Sequence, residues 1–148
     1  MRYILALVLA GILPHLADAA DAAEPVEAQI IRPAGDASLE DFVWINRVIV
    51  VFGDSEADPR FTEQIELLNR GLDELAERDV IILTDSDPAA MSPIREKLRP
   101  RGFMMVLLGK DGQVYLRKPF PWDVREISRS IDKMPLRQRE IRDRRSGG

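Results

Sequence analysis

Five carboxylates fall in two short segments of this chain: Asp54, Glu56 and Asp58 in one, Asp85 and Asp87 in the other. Acids so placed can share a hard cation such as calcium, which takes about six to eight oxygen ligands at roughly 2.3–2.6 Å. The first segment does not make an EF-hand loop. Pro59 stands where that loop needs glycine, and Ile65 where it needs a bidentate glutamate. The other reading of the same acids is local. Asp58-Pro59 is a helix start, with aspartate as the cap and proline in the first turn, and neighbouring acids complement the positive end of the helix dipole. Ser55 lies among them at roughly a nucleophile's position, but with only carboxylates near it in sequence it would be a weak one.

What else the chain lacks narrows the chemistry further. It contains no cysteine and a single histidine, His15. His15 belongs to an N-terminal segment that begins with Arg2, continues as the apolar run Ile4 to Leu13, and ends at Ala17-Asp18-Ala19. A positive start, an apolar stretch and a small-x-small site are the parts of a secretory signal peptide, read over residues 1–19. The run is much shorter than the roughly 20 residues a spanning helix needs. Cleavage leaves a mature chain with neither cysteine nor histidine, expected in the periplasm or outside the cell. Thiol–disulfide exchange, thiol peroxidase chemistry, structural zinc and histidine general acid–base catalysis are then excluded, and no cofactor is expected. No second apolar run follows, so no stable membrane insertion is expected after cleavage. A net charge of -4 and a pI near 5.1 argue against nucleic acid as a partner; a protein partner stays open.

A chain of 148 residues, 45% hydrophobic and 31% charged, is one globular domain, large enough to bury a core without disulfides. Residues 20–37 read as a flexible lead-in, with a short edge strand at Ala28 to Ile31. Val48-Ile49-Val50-Val51-Phe52 is a continuous apolar run, a strand buried on both faces. After Asp58-Pro59, the residues Phe61, Ile65, Leu68, Leu72 and Leu75 make one apolar stripe at helical spacing, with Gly71 marking a bend or a close approach. Val80 to Leu83 is a second buried strand, so strand–helix–strand makes a right-handed parallel unit. Ser92-Pro93 opens a short helix ended by Pro100. Met104 to Leu108 and Gln113 to Arg117 are strands of a hairpin turned at Lys110-Asp111-Gly112. Asp123 caps a last helix that carries Val124, Ile127, Ile131 and Met134 on one face and is interrupted by Pro135.

This order predicts an α/β, thioredoxin-like domain over residues 38–142. It has a four-stranded mixed sheet in the order second, first, third, fourth strand, and residues 143–148 form a frayed tail. In that arrangement active thiols follow the first core strand and a proline precedes the third. Here those stretches read Gly53-Asp54-Ser55-Glu56-Ala57-Asp58-Pro59 and Gly102-Phe103-Met104-Met105, with neither cysteine nor the proline.

Three further segments belong together. They are Trp44-x-x-Arg47, Gly109-Lys110-Asp111-Gly112, and the closing run Ile131-Asp132-Lys133-Met134-Pro135-Leu136-Arg137-Gln138-Arg139-Glu140. With them the chain resembles a bacterial domain-of-unknown-function family related to domains of vertebrate sushi-repeat extracellular-matrix proteins. The resemblance covers Ser38 to Arg142 and implies an exported domain of thioredoxin- or peroxiredoxin-like fold. It transfers no catalytic residue.

Two aromatic positions remain. Trp44 and Trp122 flank core elements, where partial burial against the sheet is the default for tryptophan. Phe120-Pro121-Trp122 is an apolar loop and the better partner-binding site. The segment from Leu136 carries five arginines against Glu140 and Asp143. Such a run meets anionic lipid or an acidic partner, or is simply a solvated terminus; Met134 and Leu136 are expected to tuck against the sheet while the arginines pair with acids of the body. The functional expectation is a non-catalytic binding or interaction module. Its alternative is a carboxylate- or cation-dependent enzyme acting at the loops after the first two core strands.

Overall fold

The computed structural model describes residues 30–148. The segment read as a signal peptide, with His15, and the first part of the lead-in lie outside the described residues. Five strands form one sheet: β1 (Ile31–Pro33), β2 (Arg47–Phe52), β3 (Val80–Asp85), β4 (Met104–Leu108) and β5 (Val114–Lys118), in the spatial order β1-β3-β2-β4-β5. β1, β3 and β2 run parallel, while β4 and β5 are antiparallel to their neighbours. The core order β3-β2-β4-β5 is the one expected, but the sheet has five strands rather than four. The addition is β1, where the short edge strand read at Ala28 to Ile31 lies instead at Ile31–Pro33 and joins the sheet by pairing Ile31 with Ile82 and Pro33 with Thr84. Three residues are too few to show a period of two. This strand exists because the outer edge of β3 offers it backbone partners, and the alignment continues as the Ala34 amide donates to the Thr84 carbonyl at 2.8 Å.

Strand side chains alternate between faces, and both faces are covered. On one lie α1 (Pro59–Asn69), α2 (Leu72–Ala76) and α4 (Val124–Asp132), which pack Leu68, Leu75, Ile127 and Ile131 against Ile49, Val51 and Ile82. On the other, a 3-10 turn at Leu39–Phe42 and α3 (Pro93–Leu98) pack Phe42, Ile94 and Leu98 against Val48, Val50 and Leu83. This two-sided cover explains why β2 is apolar throughout. A second 3-10 turn spans Pro88–Ala90, and α5 (Pro135–Ser146) closes the chain. Residues 143–146, read as part of a frayed tail, belong to α5.

The apolar stripe from Phe61 to Leu75 is divided between α1 and α2, with the break at Gly71. A Cβ on Gly71 would lie 2.6 Å from Val124 Cγ1, so the glycine lets the start of α4 approach the helix junction. Gly71→Ala is expected to destabilise the domain by about 1–3 kcal/mol through overpacking. Urea denaturation measures it, and adding Val124→Ala should recover part of the loss because the two changes share one contact.

Candidate functional site

The acidic edge lies where the carboxyl ends of β2 and β3 meet, with the Gly53 amide donating to the Asp85 carbonyl at 2.9 Å. Asp58 caps α1 by accepting from the Arg60 amide at 2.9 Å, and Asp87 caps the Pro88–Ala90 turn by accepting from the Ala89 amide at 3.2 Å. Asp85 is only 7% exposed, and both of its oxygens are taken. Oδ1 accepts from Arg95 Nη2 at 2.9 Å and the Asp87 amide at 3.2 Å, and Oδ2 from Ser92 Oγ at 2.6 Å and Arg95 Nε at 3.2 Å. Burial alone would raise the Asp85 pKa, but the bonds from Arg95 and Ser92 prevail and hold it below the usual carboxylate range. Arg95 Nη2 also donates to the Gly53 and Asp85 carbonyls at 3.1 Å each, and the guanidinium sits 5.2 Å from the centre of the Phe52 ring. One arginine thus ties together the ends of β2, β3 and α3.

Glu56, Asp85 and Asp87 border a cavity of about 290 Å³ beside β1 and β3, with Asp36, Met91 and Ser92 also on its wall. Asp54 and Asp58 do not line it, and Asp54, Ser55 and Glu56 are exposed. The convergence that a shared cation requires is not formed. Among the described residues, no group of three or more acids or other ligating side chains is placed to hold a metal ion. The geometry favours the local reading for Asp58 and Asp87, as caps, and places Asp85 in an internal ion pair; Asp54 and Glu56 stand exposed.

The opposite end of the sheet gathers the three segments that carry the family resemblance. Arg47, at the start of β2, is 0% exposed. Its Nη1 donates to the Arg78 carbonyl at 2.9 Å, and its Nη2 to both oxygens of Glu140, 93 positions away in sequence, at 3.2 Å each. Lys110 Nζ, on the β4–β5 turn, reaches Asp79 at 2.8 Å and Glu140 at 2.9 Å. Arg137 joins Asp132 at 3.3 Å to Glu140 at 3.4 Å, and Arg78 grips Asp132 with two nitrogens at 3.0 and 2.8 Å. Burial would push the Glu140 pKa up; the hydrogen bonds from Lys110 and Arg47 outweigh it and lower it to about 2. Of this network the sequence motifs contain Arg47, Lys110, Asp132, Arg137 and Glu140 but neither Arg78 nor Asp79, and not the pairing. Arginines of the closing segment were expected to seek acids on the body; Arg137 does so at Asp132, but the segment's main anchor is an acid, Glu140, held by cations of the body. Met134 is buried as expected, and Leu136 half-buried.

Trp44 departs from expectation. It is 69% exposed, as is its neighbour Ile45 at 65%, and its backbone is left-handed, with φ of 66°. The Trp44 amide donates to the Lys110 carbonyl at 2.6 Å, which anchors this turn to the ionic network. Trp122, the preferred partner-site residue, is half-buried. Gln64, itself buried, bonds its carbonyl and amide at 2.8 and 2.9 Å, and Lys118 Nζ lies 4.1 Å from its ring centre. Phe120 remains exposed, so of the two aromatic rings of the loop it is the one that faces solvent freely. Nothing in the sequence marked Trp44 as outward-facing, because its exposure follows from a backbone conformation imposed by the turn.

The solved structures similar to this chain include the reduced 2-Cys peroxiredoxin of Plasmodium vivax, at 19% identity and a TM-score of 0.54, covering 70% of this chain and 85% of that one. Thioredoxin peroxidase I of Plasmodium yoelii matches at 20% identity and a TM-score of 0.50, covering 70% and 80%. At such identities the likeness establishes the thioredoxin-like fold alone. No curated protein matches the chain. The profile of a family described as a domain of unknown function, DUF4174, matches residues 38–140. That match ends at the glutamate pinned between Arg47 and Lys110, and the cysteine-free, thioredoxin-like chain belongs to this family.

Proposed function

We propose that this is an exported, non-catalytic binding module whose contact surface is centred on Trp44 and Ile45. The observation that supports it is the backbone of Trp44. A left-handed conformation costs a residue with a Cβ about 1–2 kcal/mol, and such strain persists only where the surroundings impose it, often at functional positions. Here it is spent on holding a tryptophan out in solvent. Large aromatics at solvent-facing positions are the usual anchors of recognition surfaces. Of the acids that the enzyme reading needs at the other end, Asp58 and Asp87 are engaged as caps and Asp85 in the pair with Arg95, while Asp54 and Glu56 stand exposed.

Trp44→Asn separates a binding role from a structural one, since asparagine tolerates the left-handed region. The variant is expected to keep its stability or gain up to about 1 kcal/mol. A photoreactive side chain at position 45, in cells producing the chain, should form a discrete adduct that Trp44→Asn abolishes. A loss of stability together with no adduct at position 45 would show that Trp44 serves the fold and would sink the reading.

A further inference from the structure

We infer that the surface bearing Trp44 docks on an anionic phospholipid bilayer; this names a partner for the binding module proposed above and rests on that reading. Lys110 places two features at one end of the domain. Its carbonyl accepts from the Trp44 amide at 2.6 Å, and its Nζ reaches Glu140, in the middle of α5, at 2.9 Å. α5 therefore passes beside the Trp44 turn with Glu140 facing inward. Arg144 follows one turn beyond Glu140 on the same side of the helix, where the network has ended. Arg139, Arg142, Arg144 and Arg145 are all exposed, and none forms an ion pair among the described residues. Lys133, between α4 and α5, is exposed as well. Although the net charge of the chain is -4, unpaired arginines of α5 thus follow directly on the network that anchors Trp44, the most exposed aromatic side chain among the described residues.

The chemistry of the two features converges on a lipid headgroup layer. Guanidinium groups bind phosphate with paired, charge-assisted hydrogen bonds. Tryptophan, with an apolar ring and one N–H, partitions to the boundary between headgroups and acyl chains. Basic residues near an anionic bilayer each strengthen binding about fivefold. The apolar component is small, an aromatic–aliphatic pair at a turn, and the cavity bordered by Glu56, Asp85 and Asp87 lies at the other end of the sheet. A bilayer surface needs no shape-complementary groove to receive such a pair. Among the described residues no helix is long and apolar enough to cross a membrane, so the attachment is peripheral, reversible and salt-sensitive.

The test is flotation of the purified chain with vesicles of phosphatidylcholine alone and of phosphatidylcholine mixed with phosphatidylglycerol. All variants share one amino terminus, so that segment's contribution cancels between them. The expected result is retention on the mixed vesicles only, lost at high salt and weakened about fivefold or more by Trp44→Asn. The triple variant Arg142→Gln, Arg144→Gln, Arg145→Gln should lose about a hundredfold. A blue shift of tryptophan emission on the mixed vesicles, still present in Trp122→Phe, would place Trp44 in the headgroup layer. Circular dichroism of each variant checks that the fold is kept. No retention on anionic vesicles, or retention that neither set of changes weakens, overturns the inference. An adduct at position 45 that joins a protein, with no vesicle binding, overturns the lipid partner while leaving the binding module standing; no adduct and no vesicle binding overturn both.

Discussion

Arg95→Met lowers the stability of the domain by an expected 3–5 kcal/mol, about the cost of removing one partner of a buried ion pair. The variant leaves Asp85 with the Ser92 hydroxyl and the Asp87 amide but no positive charge, in a position only 7% exposed. It also frees the Gly53 and Asp85 carbonyls that Arg95 holds together, and so loosens the ends of β2 and β3. Urea denaturation at neutral pH measures the loss. The pH dependence identifies its cause. In the native chain the Asp85 pKa is depressed, so its contribution is complete above the ordinary value near 3.8 and is lost as the pH falls below it. Without Arg95 the carboxyl is expected to titrate upward and become neutral sooner, so the variant's deficit should shrink on acidification. A deficit below 1 kcal/mol, or one that does not change with pH, would mean that Asp85 and Arg95 do not act as a pair.

Glu140→Leu is expected to cost about 3 kcal/mol, at the lower end of the range for a broken pair because Glu140 keeps some solvent contact. It strands Arg47, which is fully buried and whose Nε already has no partner, and it takes from Lys110 one of two acids. Set against a typical total stability of about 5–15 kcal/mol, this is a large share. Arg47→Met together with Glu140→Leu should cost less than the sum of the two single changes, because the second removes the charge that the first leaves unpaired. The acid limb offers an independent check. The Glu140 pKa is lowered from 4.5 to about 2, so its contribution is full above about pH 4.5 and is lost as the pH falls towards 2. Glu140→Leu should flatten the stability profile across that window. An unchanged slope there would show that the ion pairs do not stabilise the docking of α5.

Both predictions concern polar residues whose partners the sequence does not show. Asp85 was legible as an acid at a strand end, but Arg95 sat inside a short helix with nothing to show that it faced inward. Ion pairing between residues ten or more positions apart leaves no periodic trace. The same holds for Glu140, whose partners lie on β2 and on the hairpin turn. The apolar elements were far more legible. The run Val48 to Phe52, the stripe from Phe61 to Leu75 and the hairpin around Lys110-Asp111-Gly112 all form where their patterns place them. Strand β1 was missed in its register and Trp44 in its orientation. Each depends on a neighbour that sequence spacing does not reveal: the free edge of β3 for one, the Lys110 carbonyl for the other.

The sequence by itself determined the layering of this domain and what it cannot do. Apolar spacing decides which faces of helices and strands leave water, since burial is roughly proportional to apolar area and needs no directed partner. A chain without cysteine has no thiol chemistry in any fold. Only the tertiary structure decided which charges meet. Coulomb attraction and hydrogen bonds act over a few ångströms and in set directions, so pairing is settled only once the apolar core has brought the strand ends together. The position of Trp44, outside that core and beside an arginine-rich helix, is decided at the same level.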